Sequence, residues 1–282
     1  GQPSKTYRKS LPAFIQAAAD GDLTRLKEMV AEVKVLKPKD NRAAVWDLVD
    51  TRDRHLSTAE HWAAGGGHIS CLRYLLDLRQ KHMTSSEKNT SQDGSNVKRT
   101  RRRDGKTCLH YSARNGHLDG VKFLVEEQGN SIDEISGDGT TPFHMACFGG
   151  HCDVAEFFIG HNANVRAVND WGCSAAHWAG MTISKEVSQV RQLCNVLQKA
   201  GVSFSERQKQ GHSCLHKAAQ KLNRSVIVWM AESSDQGGAN LSAEEKEQAG
   251  RPDMGGHTPS DIWRSVGGGN EFAKWMEEKL GW

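Results

Sequence analysis

Apolar residues fall along this chain in two alternating rhythms. Short segments start with Ser or Thr, place an apolar residue and a histidine two and three positions later, and run on into small residues. Thr141-Pro142-Phe143-His144-Met145-Ala146 is the most regular of them. Longer segments follow, with apolar residues at helical spacing: Leu23, Leu26 and Val30; Val121, Leu124 and Val125; Phe272, Trp275, Met276 and Leu280. Spacing by three and four is the mark of a helix with one apolar face. Gly-His or Gly-Asp joins several of the short segments to the long ones, as in Gly67-His68 and Gly116-His117. The pattern therefore predicts pairs of helices joined by tight turns, and an all-α fold.

The histidines of the short segments, His61, His110, His144, His177 and His216, are spaced by 49, 34, 33 and 39 residues. Each lies three residues after a Ser or Thr that caps a helix. Pro142 and Pro259 suit a first helical turn, where the missing N–H is not needed. A period near 33 built on this T-P-L-H-x-A core resembles the ankyrin repeat. The resemblance implies a solenoid of about seven helix-turn-helix units with degenerate terminal caps. It spans residues 11–282 as one domain, preceded by a basic arm at 1–10 that is expected to be flexible. Three polar inserts interrupt it, at about 34–50, 80–100 and 235–250. Within the first, Trp46, Leu48 and Val49 are expected to pack down. The second lacks periodicity and is expected to be mobile. In the third, Ser242-Ala243-Glu244-Glu245 is a capping box that predicts a short helix. Leu56 stands where the repeat has Gly, so the turn before the second unit is expected to be distorted. The seventh unit carries Asp261 in place of the histidine.

Composition adds little and excludes much. The formal net charge is +3, which names no partner. No apolar run reaches the roughly 18 residues a membrane span needs. Seven cysteines without a CxxC pair read as free core thiols of a reducing, intracellular compartment, cytoplasmic or nuclear. Gly1 in place of Met is read as the trace of a removed tag or targeting segment, the latter allowing an organelle. His144, Cys147 and His151 form an H-x2-C-x3-H string. Within the repeat the first histidine starts a helix and the last ends one, so no zinc site, and no cofactor of any kind, is expected. No nucleophile sits beside a base and an orienting acid in a local signature, and the expectation is a non-enzymatic protein.

In ankyrin arrays the turn tips and part of the first helix line a concave groove that takes protein partners. The resemblance thus implies a partner site at Lys106, Arg114, Phe148, Trp171, Met181, Gln210, His212 and Lys221. Trp62, Tyr111 and Trp178, one residue after the motif histidine, are expected to pack. A second reading rests on Lys98, Arg99, Arg101, Arg102 and Arg103. With Lys106 and Asp104 included, residues 98–106 carry +5, more than the whole chain. Such a run suits nucleic-acid phosphates, a nuclear-import signal or a solvated loop end. An adaptor that binds a protein is preferred, with a nucleic-acid-associated component as the alternative.

Overall fold

The computed structural model describes residues 11–82 and 104–281. Helix makes up 60% of the structure, and no strand occurs among the described residues. The helices are α1 (Ala13–Asp20), α2 (Leu23–Leu36), α3 (Asn41–Val49), α4 (Ala59–Gly66), α5 (Ile69–His82), α6 (Cys108–Arg114) and α7 (Leu118–Lys122). After α7 a π-helical turn covers Phe123–Glu127. The series continues with α8 (Pro142–Gly149), α9 (Cys152–Gly160), α10 (Ala175–Gly180), α11 (Val187–Lys199), α12 (Cys214–Gln220), α13 (Arg224–Ala231), α14 (Ala243–Gly250), α15 (Pro259–Ser265) and α16 (Asn270–Leu280). The arm at 1–10 and residues 83–103, which hold nearly all of the second insert, lie outside the described residues.

The chain divides into two compact units, residues 1–137 and 138–282. In the first, the short helices α1, α4 and α6 stack in sequence order, and α2 lies against α5. The first insert is a helix, α3, packed on α2 and α5 with Ala44, Val45 and Val49 buried. In the second unit the short helices α8, α10, α12 and α15 form one layer. The long helices α9, α11, α13 and α16 form another. The third insert supplies α14, capped by Ser242 and Glu245 as the sequence predicts, and α14 rests on α12 and α16. Each unit buries its apolar stripes between neighbouring repeats, which is how a repeat lacking a core of its own becomes stable. Phe14, Leu26, Leu72, Phe143, Phe158, Leu193 and Trp229 are among the large side chains shut off from solvent.

Helix joints within a repeat share one geometry. Gly21, Gly67, Gly116 and Gly150 close the short helices with φ between 73° and 82°. The next residue's N–H bonds back into the helix, Asp22 to the Ala17 carbonyl and His68 to the Ala63 carbonyl. A side chain at φ near +70° is strained, and this is why glycine recurs there. The sixth unit departs: Leu222 takes φ +54°, and Asn223 replaces the histidine. That substitution conserves the contact. His68 Nε2 meets the Ala19 carbonyl at 3.2 Å and His117 Nε2 the Gly65 carbonyl at 3.0 Å. Asn223 Nδ2 reaches the Gly180 carbonyl at 3.3 Å in the same way, while its Oδ1 caps α13.

Candidate functional site

The motif histidines are built as joints. At each, Nδ1 accepts from the backbone N–H of the capping Ser or Thr: Thr58 to His61, Thr107 to His110, Thr141 to His144, Ser174 to His177 and Ser213 to His216, at 3.1–3.3 Å. Because Nδ1 accepts, the proton sits on Nε2 and can be donated onward. His144 donates to the Ala167 carbonyl at 2.9 Å, His177 to the His212 carbonyl at 2.9 Å and His216 to the His257 carbonyl at 3.3 Å. In the second unit each ring thus pins a helix start to the turn that precedes the next repeat. Burial holds all three imidazoles neutral, with pKa values of about 4. With both nitrogens of His144 committed to backbone, that ring has no lone pair for a metal. No His, Cys, Asp and Glu grouping suited to a metal ion occurs among the described residues. All seven cysteines are free and buried. At the seventh unit Asp261 completes the capping box in the histidine's place, its Oδ2 accepting from Thr258 N–H at 2.9 Å.

The turns that carry the partner-site candidates follow one plan. An Asp or Asn side chain accepts two N–H groups, two and four residues on: Asp53 from His55 and Ser57, Asn169 from Trp171 and Cys173, Asp253 from Gly255 and His257. The residue before the last is left-handed, at Gly172 (φ +77°) and Gly256 (+80°), and Gly211 (+82°) holds the same place in the turn that Gln208 opens. Leu56 adopts the same conformation at φ +60°. The expected distortion of its turn does not occur: Asp53 holds the turn in register, and the cost appears as backbone strain at an exposed leucine. Neighbouring tips bond to one another. Asp170 N–H donates to the Asp138 carbonyl, Lys209 N–H to Trp171 and Met254 N–H to Gln210, at 3.0–3.1 Å.

In the second unit six candidates sit on the turn tips and at the ends of the short helices. Trp171 projects from its tip with 54% of its surface exposed. Gln210 is exposed on the next tip, and Lys221 at the end of α12. Phe148 and Met181 are half-buried at the ends of α8 and α10. Phe148 packs edge-on against Trp178 at 5.8 Å, and its carbonyl accepts from Thr182 Oγ1 and Ile183 N–H. The extra residues of the fifth unit therefore lie against the fourth. His212 is engaged on both ring nitrogens, by Gln208 Nε2 and Asp253 Oδ2, each at 3.0 Å. The other two candidates belong to the first unit, where Lys106 pairs with Asp104 at 3.2 Å and Arg114 is half-buried on α6. Lys98, Arg99, Arg101, Arg102 and Arg103 lie outside the described residues.

The aromatics that follow the motif histidines pack as expected. Tyr111 meets His61 edge-on at 6.3 Å, and Trp178 stacks on His144 at 6.2 Å. Trp62 adds a bond from Nε1 to Asp53 Oδ2 at 3.1 Å.

A buried ion pair escaped the sequence reading. Glu60 occupies the apolar position before His61, fully buried, and Arg79 of α5 reaches it at 2.5 Å. The same guanidinium bonds to Asp50 and the Val49 carbonyl and lies over the Trp46 ring, tying α3 to the second repeat. Burial alone would raise the Glu60 pKa; the charge of Arg79 facing it brings the carboxyl below its ordinary value. The available signal was a glutamate where the repeat calls for leucine.

Stacked helix pairs, histidine-pinned helix starts and bonded turn tips define a helical repeat protein. The family model for "Ankyrin repeats (3 copies)" matches residues 14–134, 86–169 and 144–245. The chain belongs to the ankyrin-repeat family. Ankyrin repeats generally mediate protein–protein interactions and are typically non-enzymatic. Among the described residues no helix is long and apolar enough to cross a membrane.

Proposed function

We propose that this chain is a non-enzymatic adaptor that binds a protein partner on the face formed by its turn tips and short helices. Trp171, Phe148, Met181, Gln210, His212 and Lys221 carry the contact in the second unit, and Lys106 and Arg114 hold equivalent repeat positions in the first. The observation that supports this reading is Trp171. A large aromatic held at the end of a bonded turn keeps more than half of its surface open to a partner. Aromatic anchors dominate binding energy at protein interfaces.

Capture from a lysate of the source cells, using wild-type chain and a Trp171→Ala, Phe148→Ala variant side by side, tests it. Each change should cost about 1 kcal/mol or more of partner binding, so bands retained by the wild type should drop from the variant. Equal retention would refute the face.

The basic run at 98–103 supports the alternative, a nucleic-acid contact. Converting Arg99, Arg101, Arg102 and Arg103 to Ala should then flatten the log-affinity against log-salt slope by about 3–4. Under the adaptor reading the same change leaves partner affinity nearly intact.

A further inference from the structure

We propose that the partner's contact on the second unit is an acidic peptide segment with a large apolar side chain, its carboxylates on Lys217 and Lys221 and its apolar group against Trp171 and Met181. This inference rests on the adaptor reading and names the chemistry that the face selects.

Lys217 is the starting point. Several partly buried cations among the described residues face carboxylates: Arg79 meets Glu60, Arg191 meets Glu232, Arg264 meets Glu277 and Lys106 meets Asp104. Arg207 and Lys246 donate to backbone carbonyls. Lys217, half-buried on α12, meets none. Its near neighbour is another cation, Lys221, one helical turn on and exposed. Burial lowers the Lys217 pKa; the nearby Cys173 opposes this in part, and Lys221 lowers it further. The protein therefore already bears the desolvation of this ammonium group, together with a like-charge repulsion. An incoming carboxylate relieves both without desolvating the lysine anew, so a charge contact here contributes more than one on a fully wet lysine.

The surroundings restrict the ligand's shape. Lys209, on the tip of the same repeat, bonds through its N–H to the Trp171 carbonyl at 3.1 Å and is itself exposed. Trp171 and Met181 thus lie one repeat away from the lysines, and they offer apolar surface with no charge of their own. Asp170 precedes Trp171 on the same tip, and its N–H bonds to the Asp138 carbonyl of the tip before at 3.0 Å. The tips and helix ends thus offer acids at Asp138 and Asp170, apolar surface at Trp171 and Met181, and lysines at Lys217 and Lys221. A nucleic acid laid along the tips would bring phosphates against two carboxylates as well as the lysines. A peptide with its acids gathered at one end and an apolar residue beside them matches all three zones.

The test is selection of short random peptides on the full chain, followed by anisotropy titration of the best peptide, labelled, against variants. Enrichment of Asp or Glu next to Trp, Phe or Leu is expected. Lys217→Gln with Lys221→Gln should weaken the selected peptide roughly tenfold, and Trp171→Ala should weaken it comparably. A chain with both lysines changed to Glu should select basic peptides instead. The Lys221→Gln, Lys209→Gln pair, both exposed positions, repeats the measurement without disturbing the half-buried site. Thermal melts of every variant confirm folding.

Neutral or basic peptides that ignore the lysine changes but lose affinity with Trp171→Ala would overturn the acidic chemistry and leave the adaptor reading standing. Peptides that ignore Trp171 and Phe148 as well would overturn both. Failure to enrich any peptide overturns the proposal. So does an oligouridylate probe that binds this chain more tightly than the acidic peptide and is lost in the lysine variants.

Discussion

The three histidine joints of the second unit make its stability depend on pH in a defined window. His144, His177 and His216 have folded-state pKa values of about 4, against about 6.5 in an unfolded chain. The cause is burial, first in each case, and the bonds on Nδ1 reinforce it, because a protonated Nδ1 would point a donor at a backbone N–H. A group with a depressed folded pKa of this kind stays neutral when folded and takes its proton on unfolding. The stability it contributes is therefore present above about pH 6.5 and is lost as pH falls towards 4. Between pH 7 and pH 5 each histidine should remove about 2 kcal/mol. The three together reach on the order of 5 kcal/mol, comparable with the whole stability of many domains. Below about pH 4 the folded rings take protons too, and further loss passes to the carboxylates, Asp253 among them with a pKa of about 2.

Urea titrations of wild type and His144→Gln at a series of pH values isolate one joint. At pH 7 the variant should be less stable by about 1–3 kcal/mol, through the lost bonds of a buried ring. As pH falls to 5 that gap should close by about 2 kcal/mol, since the variant takes up one proton fewer on unfolding. Carboxylates cancel in the comparison. A gap that stays constant, or widens, would refute the assignment of His144 as a neutral joint.

Three further outcomes follow from the packing. Arg79→Met should cost about 3–5 kcal/mol by stranding a buried Glu60 charge, whereas Glu60→Leu with Arg79→Met should come back to near wild type; denaturation midpoints of the single and double variants decide this. Leu56→Gly should stabilise by about 1 kcal/mol, despite a more flexible unfolded chain, by releasing a left-handed leucine; a lower melting temperature would contradict the strain. Gly180→Ala should destabilise by about 1–3 kcal/mol although alanine favours helix, because its Cβ would stand 2.8 Å from the Cys214 carbonyl oxygen; urea titration reads the sign.

Much of this architecture was legible in the chain because its signals are local. A capped helix start, a left-handed glycine and an apolar stripe each lie within a few residues, so His110, Gly116 and the stripe of Val121, Leu124 and Val125 announced a helix pair without reference to anything distant. Repetition then multiplied a weak signal, and units that lost one element were still recognised by the others. Thr258 and Asp261 illustrate this: the capping box forms with a different side chain. What the sequence could not supply was any property set by two segments far apart. Leu56 broke the glycine rule, yet Asp53 and the neighbouring helix start enforce the turn against the preference of the leucine. Glu60 passed unremarked along the chain, because its partner Arg79 reaches it only through α5, from 19 residues away. Lys217 reads as an ordinary surface lysine along the chain. Only the stacking of α12 on α10 half-buries it with no acid in reach, because burial and charge balance are properties of the packed neighbourhood and have no local code.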